Sequence, residues 1–249
     1  NPATYSKAYD EIRALYSNQG LSKARQYTSS AYSFNIPGGR CDECEGEGSI
    51  TVEMQFIADV KLKCDACQGK RFKEEILEVE YNGKNIADVL EMTIDFAIDF
   101  FSTNDKEAKK IVKKLLPLQQ VGLGYVKLGQ SASTLSGGEA QRIKLASFIG
   151  KGNSQDKALF IFDEPTTGLH FHDIKKLLTS FDLLIENGHS IFVIEHNYEI
   201  IKNADYIIDL GPEGGKNGGK VLYQGKLEGL ADVKESYTAQ FLKTKNKVV

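Results

Sequence analysis

The cysteines are the residues of this chain with the most specific spacing for chemistry. All four lie in two Cys-x-x-Cys pairs, Cys41/Cys44 and Cys64/Cys67, which are separated by 19 residues. Thiolates at this spacing are typical of a tetrahedral zinc site with four cysteine ligands. A glycine follows each pair at the same offset, so that backbone N–H groups can turn toward the sulfurs. We therefore predict structural Zn²⁺ at these cysteines, with disulfides or free thiols as the alternatives.

A basic patch surrounds the second cysteine pair in an otherwise acidic segment. Residues 41–80 carry eleven acids against five bases. The bases, together with two phenylalanines, are suited to contact phosphates or a stacked base. The alternative is a solvated rim on a structural metal fold. The patch consists of Lys61, Lys63, Lys70, Arg71 and Lys73, with Phe56 and Phe72.

Two carboxylates follow an apolar run further along the chain. The run from Ala158 to Phe162 predicts a strand that is buried on both faces, and Asp163 and Glu164 come directly after it. Side chains in this position lie at the C-terminal edge of a sheet, where α/β proteins bind ligands. Asp163 is suited to hold Mg²⁺, and Glu164 to polarise an attacking water. The alternative is an acidic helix cap after a core strand.

Two glycines open a predicted helix in the octapeptide LSGGEAQR, residues 135–142. Gly137 and Gly138 let backbone N–H groups approach a ligand closely, and a helix N-terminus carries partial positive charge. Ser136 adds a hydroxyl donor. The helix start therefore predicts an anion site, with a glycine turn before an ordinary helix as the alternative.

Two histidines lie near the predicted carboxylate edge. His196 follows the apolar run Ser190–Ile194, where a histidine is usually a packing or capping residue when it stands alone. His170 ends the loop TTGLH that leaves the carboxylate strand. His170 and His172 also suggest a second metal, but further ligands are lacking nearby. We interpret them as a loop residue and a helix-start residue.

A strand–helix–strand unit must position these groups. The helical stripe Asp173–Glu186 joins the run Ala158–Phe162 to Ser190–Ile194, as in a βαβ crossover of a parallel sheet. Tyr206–Leu210 has the same apolar character as these strands. The fold class is therefore predicted to be α/β, with a small inserted zinc module.

The segment between the cysteines and the glycines is predicted to be mainly helical. A strand over Leu77–Tyr81 is closed by the turn pair Asn82-Gly83. Three helices follow, and Pro117 is predicted to end the third. Their predicted bounds are Ile86–Glu91, Ile94–Phe101 and Lys106–Leu116.

Composition excludes several classes of protein. The 249 residues are 41% hydrophobic and 26% charged, which excludes disorder and suits one large domain or two modest ones. A net charge of −3 excludes a basic field over the whole chain, so nucleic acid must be contacted through local patches. No apolar run is long enough to cross a membrane. The start lacks a secretory signal, and we expect a cytoplasmic location.

The order of the motifs resembles that of ABC-type ATPases. The octapeptide LSGGEAQR resembles the ABC signature, FIFDEP the Walker B strand, TTGLH the D-loop and IEH the switch histidine. Longer strings are specific to a smaller group of proteins. They are VGLGY from Val121, LGQ from Leu128, Thr134–Lys144, DEPTTGLH from Asp163, IEHN from Ile194 and IDLGPEGG from Ile208. With the repeated CxxCxG, they resemble the second nucleotide-binding half of the UvrA family, the excinuclease A subunits of bacterial nucleotide excision repair. The resemblance covers residues 1 to about 242.

This resemblance implies a division of the chain and a role for each motif. It implies an ABC-ATPase-type, largely parallel sheet that uses ATP and Mg²⁺ in the complete protein. Five segments follow from it: a remnant with an amphipathic helix (1–40), the zinc module (41–80), a helical signature subdomain (81–134), the ATPase part (135–242) and a flexible tail (243–249). The implied catalytic residues are Glu164 and His196, and the implied nucleotide-contacting residues are Ser136, Gly137, Gly138, Glu139, Asp163 and His170.

The implied function is recognition of damaged DNA coupled to ATP binding and hydrolysis. The implied partners are damaged double-stranded DNA, the other nucleotide-binding half, a second copy of the protein and the helicase-like B subunit, with no membrane. Alternatives are a zinc-containing nucleic-acid- or peptide-binding module of another ABC-type ATPase, a transporter subunit and a chromosome-maintenance ATPase. A transporter subunit needs no cysteine insertion, and a chromosome-maintenance ATPase is expected to carry long heptad arrays.

The phosphate-binding P-loop, G-x-x-x-x-G-K-[ST], does not occur in the sequence. The nearest glycine cluster, residues 150–154, has the wrong spacing. In the family this loop is expected upstream of Asn1. Because the P-loop holds the β- and γ-phosphates, we expect the fragment alone to be inactive as an ATPase and its sheet to be incomplete.

Overall fold

The computed structural model describes residues 1–52, 54, 60–150, 157–213, 215 and 218–246, without the side chains of His172 and Asn246. The chain forms two compact units, Asn1–Asn153 and Ser154–Val249. Phe56 of the basic patch and residues 151–154 of the glycine cluster lie outside the described residues. Among the described helices, none combines the length and apolar character needed to span a bilayer.

The first unit is built mainly from helices that pack on one long helix. Helices α2 and α6 contact α7, and Ile12, Phe101 and Leu115 are completely or almost completely buried there. Polar side chains begin the later helices, since Asn85, Thr93 and Asp105 each accept a hydrogen bond from the first turn of α5, α6 or α7. The bounds are α1 Pro2–Tyr5, α2 Ala8–Ser17, α3 Gly20–Ala24, α4 Glu74–Leu77, α5 Ile86–Glu91, α6 Ile94–Phe101, α7 Lys106–Gln120 and α8 Gly137–Ile149.

Pro117 does not end α7, so the predicted helix end is wrong. The helix continues to Gln120 with the proline inside it. Proline costs about 3 kcal/mol in a helix interior because it lacks an N–H. Pro117 and Leu118 are both buried, and this burial offsets the lost hydrogen bond. The helix instead closes where the Leu123 N–H donates to the Leu118 carbonyl and Gly122 adopts a φ of 79°.

Two short hairpins complete the first unit. Strands β1 (Ser49–Val52) and β2 (Val60–Lys63) pair antiparallel between the two cysteine pairs. The second hairpin joins β3 (Glu80–Tyr81) to β4 (Lys84–Asn85) through Asn82-Gly83, both with positive φ as a type I′ turn requires. The predicted turn is thus confirmed, but the predicted strand is too long. Its start belongs to α4, which buries Ile76 and carries two glutamates in its first turn.

The second unit contains the expected strand–helix–strand crossover. Strands β5 and β6 are parallel, with Leu159 paired to Ser190 and Asp163 to Ile194, and α9 connects them. The α/β class and the βαβ unit are therefore confirmed. The elements are β5 Leu159–Asp163, α9 Phe171–Glu186, β6 Ser190–Ile194, α10 Tyr198–Lys202, β7 Ile207–Gly211, β8 Lys220–Gly225, α11 Leu227–Leu230 and α12 Tyr237–Asn246.

The parallel pair is buried on one face, not on both as expected. Phe162 packs on Phe181 of α9, with ring centroids 4.9 Å apart. Side chains on the opposite face are exposed, including Leu159 and Ile161 at 64% and 66% and, on β6, Phe192 at 47%. The physical reason is that α9 covers only one side of this two-stranded sheet, and no described element of the second unit covers the other.

Strand β7 belongs to a second two-stranded sheet. It pairs antiparallel with β8, with an irregularity between Asp209 and Leu210. The buried Asp209 carboxylate accepts hydrogen bonds from Ser236 Oγ at 2.5 Å and Thr238 Oγ1 at 2.8 Å. These bonds fasten the start of α12 to β7. The helix continues through most of the segment that the resemblance implied to be a tail, and residues 247–249 lie outside the described part.

Candidate functional site

The four cysteine sulfurs converge in the first unit. All four residues are at most 7% exposed, none forms a disulfide, and their Sγ atoms lie within 4.8 Å of one another. The Cys41–Cys64 and Cys44–Cys67 sulfur distances are 3.9 and 3.6 Å. Sulfurs around a tetrahedral Zn²⁺ with bonds of about 2.3 Å lie about 3.8 Å apart. The cluster can therefore hold a metal ion, and its geometry fits zinc.

The two cysteine pairs are held by the same backbone turn. Glu45 and Gly46 have φ of 49° and 86°, and Gln68 and Gly69 have φ of 49° and 77°. A Cβ on Gly46 would lie 2.1 Å from the Phe34 carbonyl oxygen, so only glycine fits there. The repeated CxxCxG in the sequence is thus a repeated structure.

Backbone N–H groups lower the pKa of the cysteine thiols, whereas burial raises it. The Gly48 N–H donates to Cys44 Sγ at 3.2 Å. The Cys67 N–H donates to Cys64 and lowers the pKa of that thiol. Burial raises the pKa of Cys44, and it raises the pKa of Cys67 to about 12. A bound cation stabilises the thiolates, so this buried cluster is better suited to a metal than to free thiols.

Two residues of the basic patch beside the metal cluster already have partners within the chain. Lys73 forms an ion pair of 2.8 Å with Asp42. The Arg71 guanidinium donates to the Gly129 carbonyl at 3.0 Å and lies over the Phe34 ring. We call the turn after each cysteine pair a knuckle. Arg71 thus connects the second knuckle, which follows Cys64 and Cys67, to the segment that leads to α8. The lysines on the exposed strand β2 and Lys70 remain candidates for an anionic partner.

The glycine-led helix α8 begins with a capping box. The Glu139 N–H donates to Ser136 Oγ at 3.3 Å, and the Ser136 N–H donates to Glu139 Oε2 at 2.7 Å. The Tyr125 hydroxyl donates to Glu139 Oε1 at 2.7 Å. Burial acts to raise the pKa of Glu139, but these donated hydrogen bonds hold it below its usual value. Glu139 therefore shapes the helix start, while a Cβ on Gly137 would meet no atom within 4 Å.

A first prediction concerns this helix start. Ser136→Ala removes the cap of α8 and should lower the free energy of unfolding by about 1 kcal/mol. Urea denaturation of the chain, followed by circular dichroism, measures this loss. Ser147→Ala is the matched control, because Ser147 lies on the same helix and only donates back to the Lys144 carbonyl. Equal stability of both variants would contradict the assigned capping role.

In the second unit, Glu164 and His196 meet at the ends of the parallel strands. The Glu164 N–H donates to the Ile194 carbonyl at 2.9 Å, which extends the ladder by one residue beyond β5. Glu164 has a φ of 44°, a left-handed conformation that is strained for a glutamate. Its Oε1 lies 3.9 Å from Nδ1 of His196, and both side chains are more than half exposed. Adjacent Asp163 is the last residue of β5.

His170 is the last residue of the loop before α9, and His172 lies in the first turn of that helix, as predicted for the two residues. His170 is the N-cap residue of α9, and its carbonyl accepts from the Asp173 N–H at 2.9 Å. The side chain of His172 lies outside the described part. Among the described residues, the four cysteines are the group of metal ligands that comes together.

Comparisons with known proteins agree over nearly the whole chain. No family model matches. UvrABC system protein A of Mycoplasmopsis pulmonis is 53% identical over 244 residues, that of Lactococcus lactis 53% over 245 and that of Staphylococcus aureus 52% over 243. Each alignment covers 98% of this chain. The crystal structure of UvrA2 from Deinococcus radiodurans matches 98% of it with a TM-score of 0.87 and 41% identity.

The chain belongs to the UvrA family.

It spans about a quarter of the length of the curated UvrA relatives that it matches, and 29% of the UvrA2 chain. The resemblance stated from the motifs is therefore confirmed as membership of this family. The fold of the chain is likewise that of the matching part of UvrA2.

One residue of this UvrA-family site was missed by the sequence analysis. Glu195 lies between strand β6 and His196, and the sequence pattern gives it no role beyond its place in the string IEH. Its carboxylate binds the loop after β5 as well as its own loop. No spacing rule predicts this contact, because Thr166 is 29 residues away.

Proposed function

We propose that this chain is a part of a DNA-damage-recognition ATPase of the UvrA type. It supplies a zinc module, the signature helix and the carboxylate that directs hydrolysis. The observation that carries the proposal is the approach of Glu164 and His196 to 3.9 Å at the ends of two parallel strands, in a chain about half identical to UvrABC system protein A. Two such groups at a C-terminal sheet edge support the roles of a base and a phosphate sensor.

The proposed roles of the residues follow from their surroundings. Asp163 assists Mg²⁺, which neutralises charge on the phosphates of ATP when it is bound. Glu164 orients the attacking water, and His196 contacts the γ-phosphate. The helix start at Ser136, Gly137 and Gly138 binds phosphate held by a partner half-site, because the capping box fixes the Ser136 hydroxyl there and the start of a helix favours an anion.

His170 and Glu139 are proposed to act at the nucleotide without a catalytic role. His170 faces the partner half from the start of α9. Glu139 acts on the nucleotide through the geometry of the α8 start, since its carboxylate is bonded to the Ser136 N–H and to the Tyr125 hydroxyl.

Zinc is the metal that we propose for the cysteine cluster. Sulfur separations of 3.6 and 3.9 Å and a donor set of four buried thiols support Zn²⁺ in a closed, structural role. The cluster offers no carboxylate or imidazole ligand, which makes it unsuited to Mg²⁺ or Ca²⁺.

The proposed partners follow from the name of the relatives. UvrABC system protein A is named as one component of a three-part system, so we propose damaged duplex DNA and the B component as partners, along with a second copy of the complete protein. A transporter subunit does not account for the cysteine module. The five segments given in the sequence analysis, including the helical signature subdomain at 81–134, remain proposals. A cytoplasmic location fits the four reduced thiols.

Exchange of the matching segment tests this function. The chain should replace the aligned part of the Lactococcus lactis protein and retain DNA-stimulated ATP hydrolysis, because the two sequences are 53% identical over this segment. Released phosphate and binding to lesion-containing duplex DNA measure the result. The isolated chain is the control and should show negligible turnover without a P-loop. Strong Mg²⁺-dependent hydrolysis by the isolated chain, or a chimera that folds and binds no DNA, would refute the proposal.

A further inference from the structure

Glu195 joins two loops that follow neighbouring parallel strands. Its Oε1 accepts hydrogen bonds from the Thr166 N–H at 2.9 Å and from the Thr166 hydroxyl. Its Oε2 accepts from the N–H groups of His196 at 2.9 Å and Asn197 at 3.0 Å. We call this set of four donated bonds the Glu195 bridge.

The bridge uses both oxygens of the carboxylate, each for a different loop. Thr166 belongs to the loop after β5, whereas His196 and Asn197 belong to the loop after β6. A carboxylate is the side chain suited to accept four donors at once. Burial acts to raise the pKa of Glu195, but the bonds donated by Thr166, Asn197 and His196 hold it below its usual value. The bridge is therefore ionised near neutral pH.

On one side, the bridge fixes the turn that carries Glu164. Thr166 lies two residues after Glu164, and the Thr167 N–H donates to the Glu164 carbonyl at 3.1 Å. A non-glycine residue at a φ of 44° needs surrounding contacts to keep it in that conformation. The Glu195 carboxylate supplies two of them from the neighbouring loop.

On the other side, the bridge fixes the backbone that carries His196. The N–H groups of His196 and Asn197 both point to Oε2. Asn197 then caps α10, because its Oδ1 accepts from the Glu199 N–H at 2.9 Å. The loop after β6 is therefore held between the bridge and a helix start.

We propose that Glu195 is a positioning residue that sets the distance between Glu164 and His196. The carboxylate does not touch the reacting atoms; it acts by locking the two loops that present them. The inference rests on the proposed function for its consequence in catalysis, but the bridge itself is testable without any nucleotide.

Amide hydrogen exchange of the full chain, followed by NMR, tests the bridge directly. Glu195→Gln keeps the size of the side chain but replaces one acceptor oxygen by an NH2 group. This NH2 group faces backbone N–H groups, with which it cannot form a hydrogen bond. We expect the amides that face the new NH2 group, either Thr166 or the pair His196 and Asn197, to exchange about 10-fold faster or more, since they lose a hydrogen bond to a charged group. The amides that face the remaining oxygen keep a weaker, neutral acceptor. Exchange in the β5–β6 ladder should stay as in the parent chain. Unchanged exchange at those three amides would overturn the proposal.

Two further variants guard this test against misfolding. Glu199→Gln makes the same chemical change four residues later, on α10, and should leave all three amides unchanged. Glu195→Asp keeps the charge but is one methylene shorter, so it can serve only one loop. Faster exchange at the Thr166 amide, or at the His196 and Asn197 amides, but not at both sets, supports the bridge. Full protection in Glu195→Asp contradicts it.

Kinetics separate positioning from general stability. In a UvrA-length protein that carries this segment, Glu195→Gln should lower kcat for ATP hydrolysis about 10-fold or more and leave KM within about 2-fold, because it keeps the side chains that contact the nucleotide and alters only the spacing of Glu164 and His196. A loss confined to KM would overturn the positioning role. If Glu164→Gln leaves turnover unchanged in the same protein, the proposed function fails, and the exchange data still decide whether the bridge exists.

Discussion

Replacing Cys67 by serine should abolish zinc binding and unfold the segment around both knuckles. The chain is expected to carry about one Zn²⁺, because four buried sulfurs converge at tetrahedral distances. Serine is a poor ligand for this ion, and structural zinc contributes about 10–16 kcal/mol to the folding of small metal domains. Cys67→Ser should therefore contain no detectable zinc by elemental analysis. Its thermal unfolding should begin at a lower temperature than that of the parent.

The knuckle itself supplies the control for this experiment. Asp65→Asn changes an exposed residue between Cys64 and Cys67 whose backbone carbonyl, not its carboxylate, accepts the bond from Gln68. Zinc content and melting of this variant should equal those of the parent. Full zinc occupancy in Cys67→Ser would show that the metal is held elsewhere.

Glu164→Gln should lower ATP hydrolysis by about 100-fold or more in a UvrA-length protein that carries this segment. A general base contributes about 100- to 10,000-fold to a rate, and the amide cannot accept a proton from water. The substitution keeps the size of the side chain and the backbone bond to Ile194. Nucleotide affinity should therefore remain close to that of the parent. Phosphate release measures turnover, and a fluorescent ATP analogue measures binding.

Glu186→Gln is the matched control for the loss of a carboxylate. Glu186 is an exposed residue at the end of α9, away from the strand ends, and its replacement should leave turnover within about 2-fold. Turnover of Glu164→Gln within the same range would exclude Glu164 as the base.

The sequence predicted the bounds of those elements that begin at a capping residue or directly after a turn. Helices α5 and α6 and strand β6 have the predicted bounds, because Asn85 and Thr93 cap the two helices and Asn187-Gly188 precedes the strand. The sequence predicts that Pro117 ends α7, but the helix continues because the burial of Leu118 outweighs the local preference against proline in a helix. The exposure of Leu159 and Ile161 was also misjudged. An apolar pattern tells which side chains favour burial, but it does not tell which element covers them.

The candidate site was predictable where one short segment contains the chemistry. The cysteine cluster follows from the spacing of its two pairs. The capping box of Ser136 and Glu139 is not among the predictions, since Ser136 is expected there only as a hydroxyl donor. The Glu195 bridge could not be predicted, since it depends on where two distant loops meet. The basic patch was predictable only as a composition, because the contacts of Arg71 and Lys73 depend on the folded neighbours Gly129 and Asp42.

The turns after the two cysteine pairs have similar backbone angles, and an arginine stands in the second turn where the first has a glycine. Gly48 and Arg71 occupy equivalent places with φ of 76° and 72°, a conformation that glycine adopts freely and arginine only at a cost of about 1–2 kcal/mol. Gly48 has no side chain, so the first turn has no counterpart to the hydrogen bond that the Arg71 guanidinium donates to the Gly129 carbonyl. The backbone strain at Arg71 is therefore the cost of joining one of two similar turns to the segment that leads to α8.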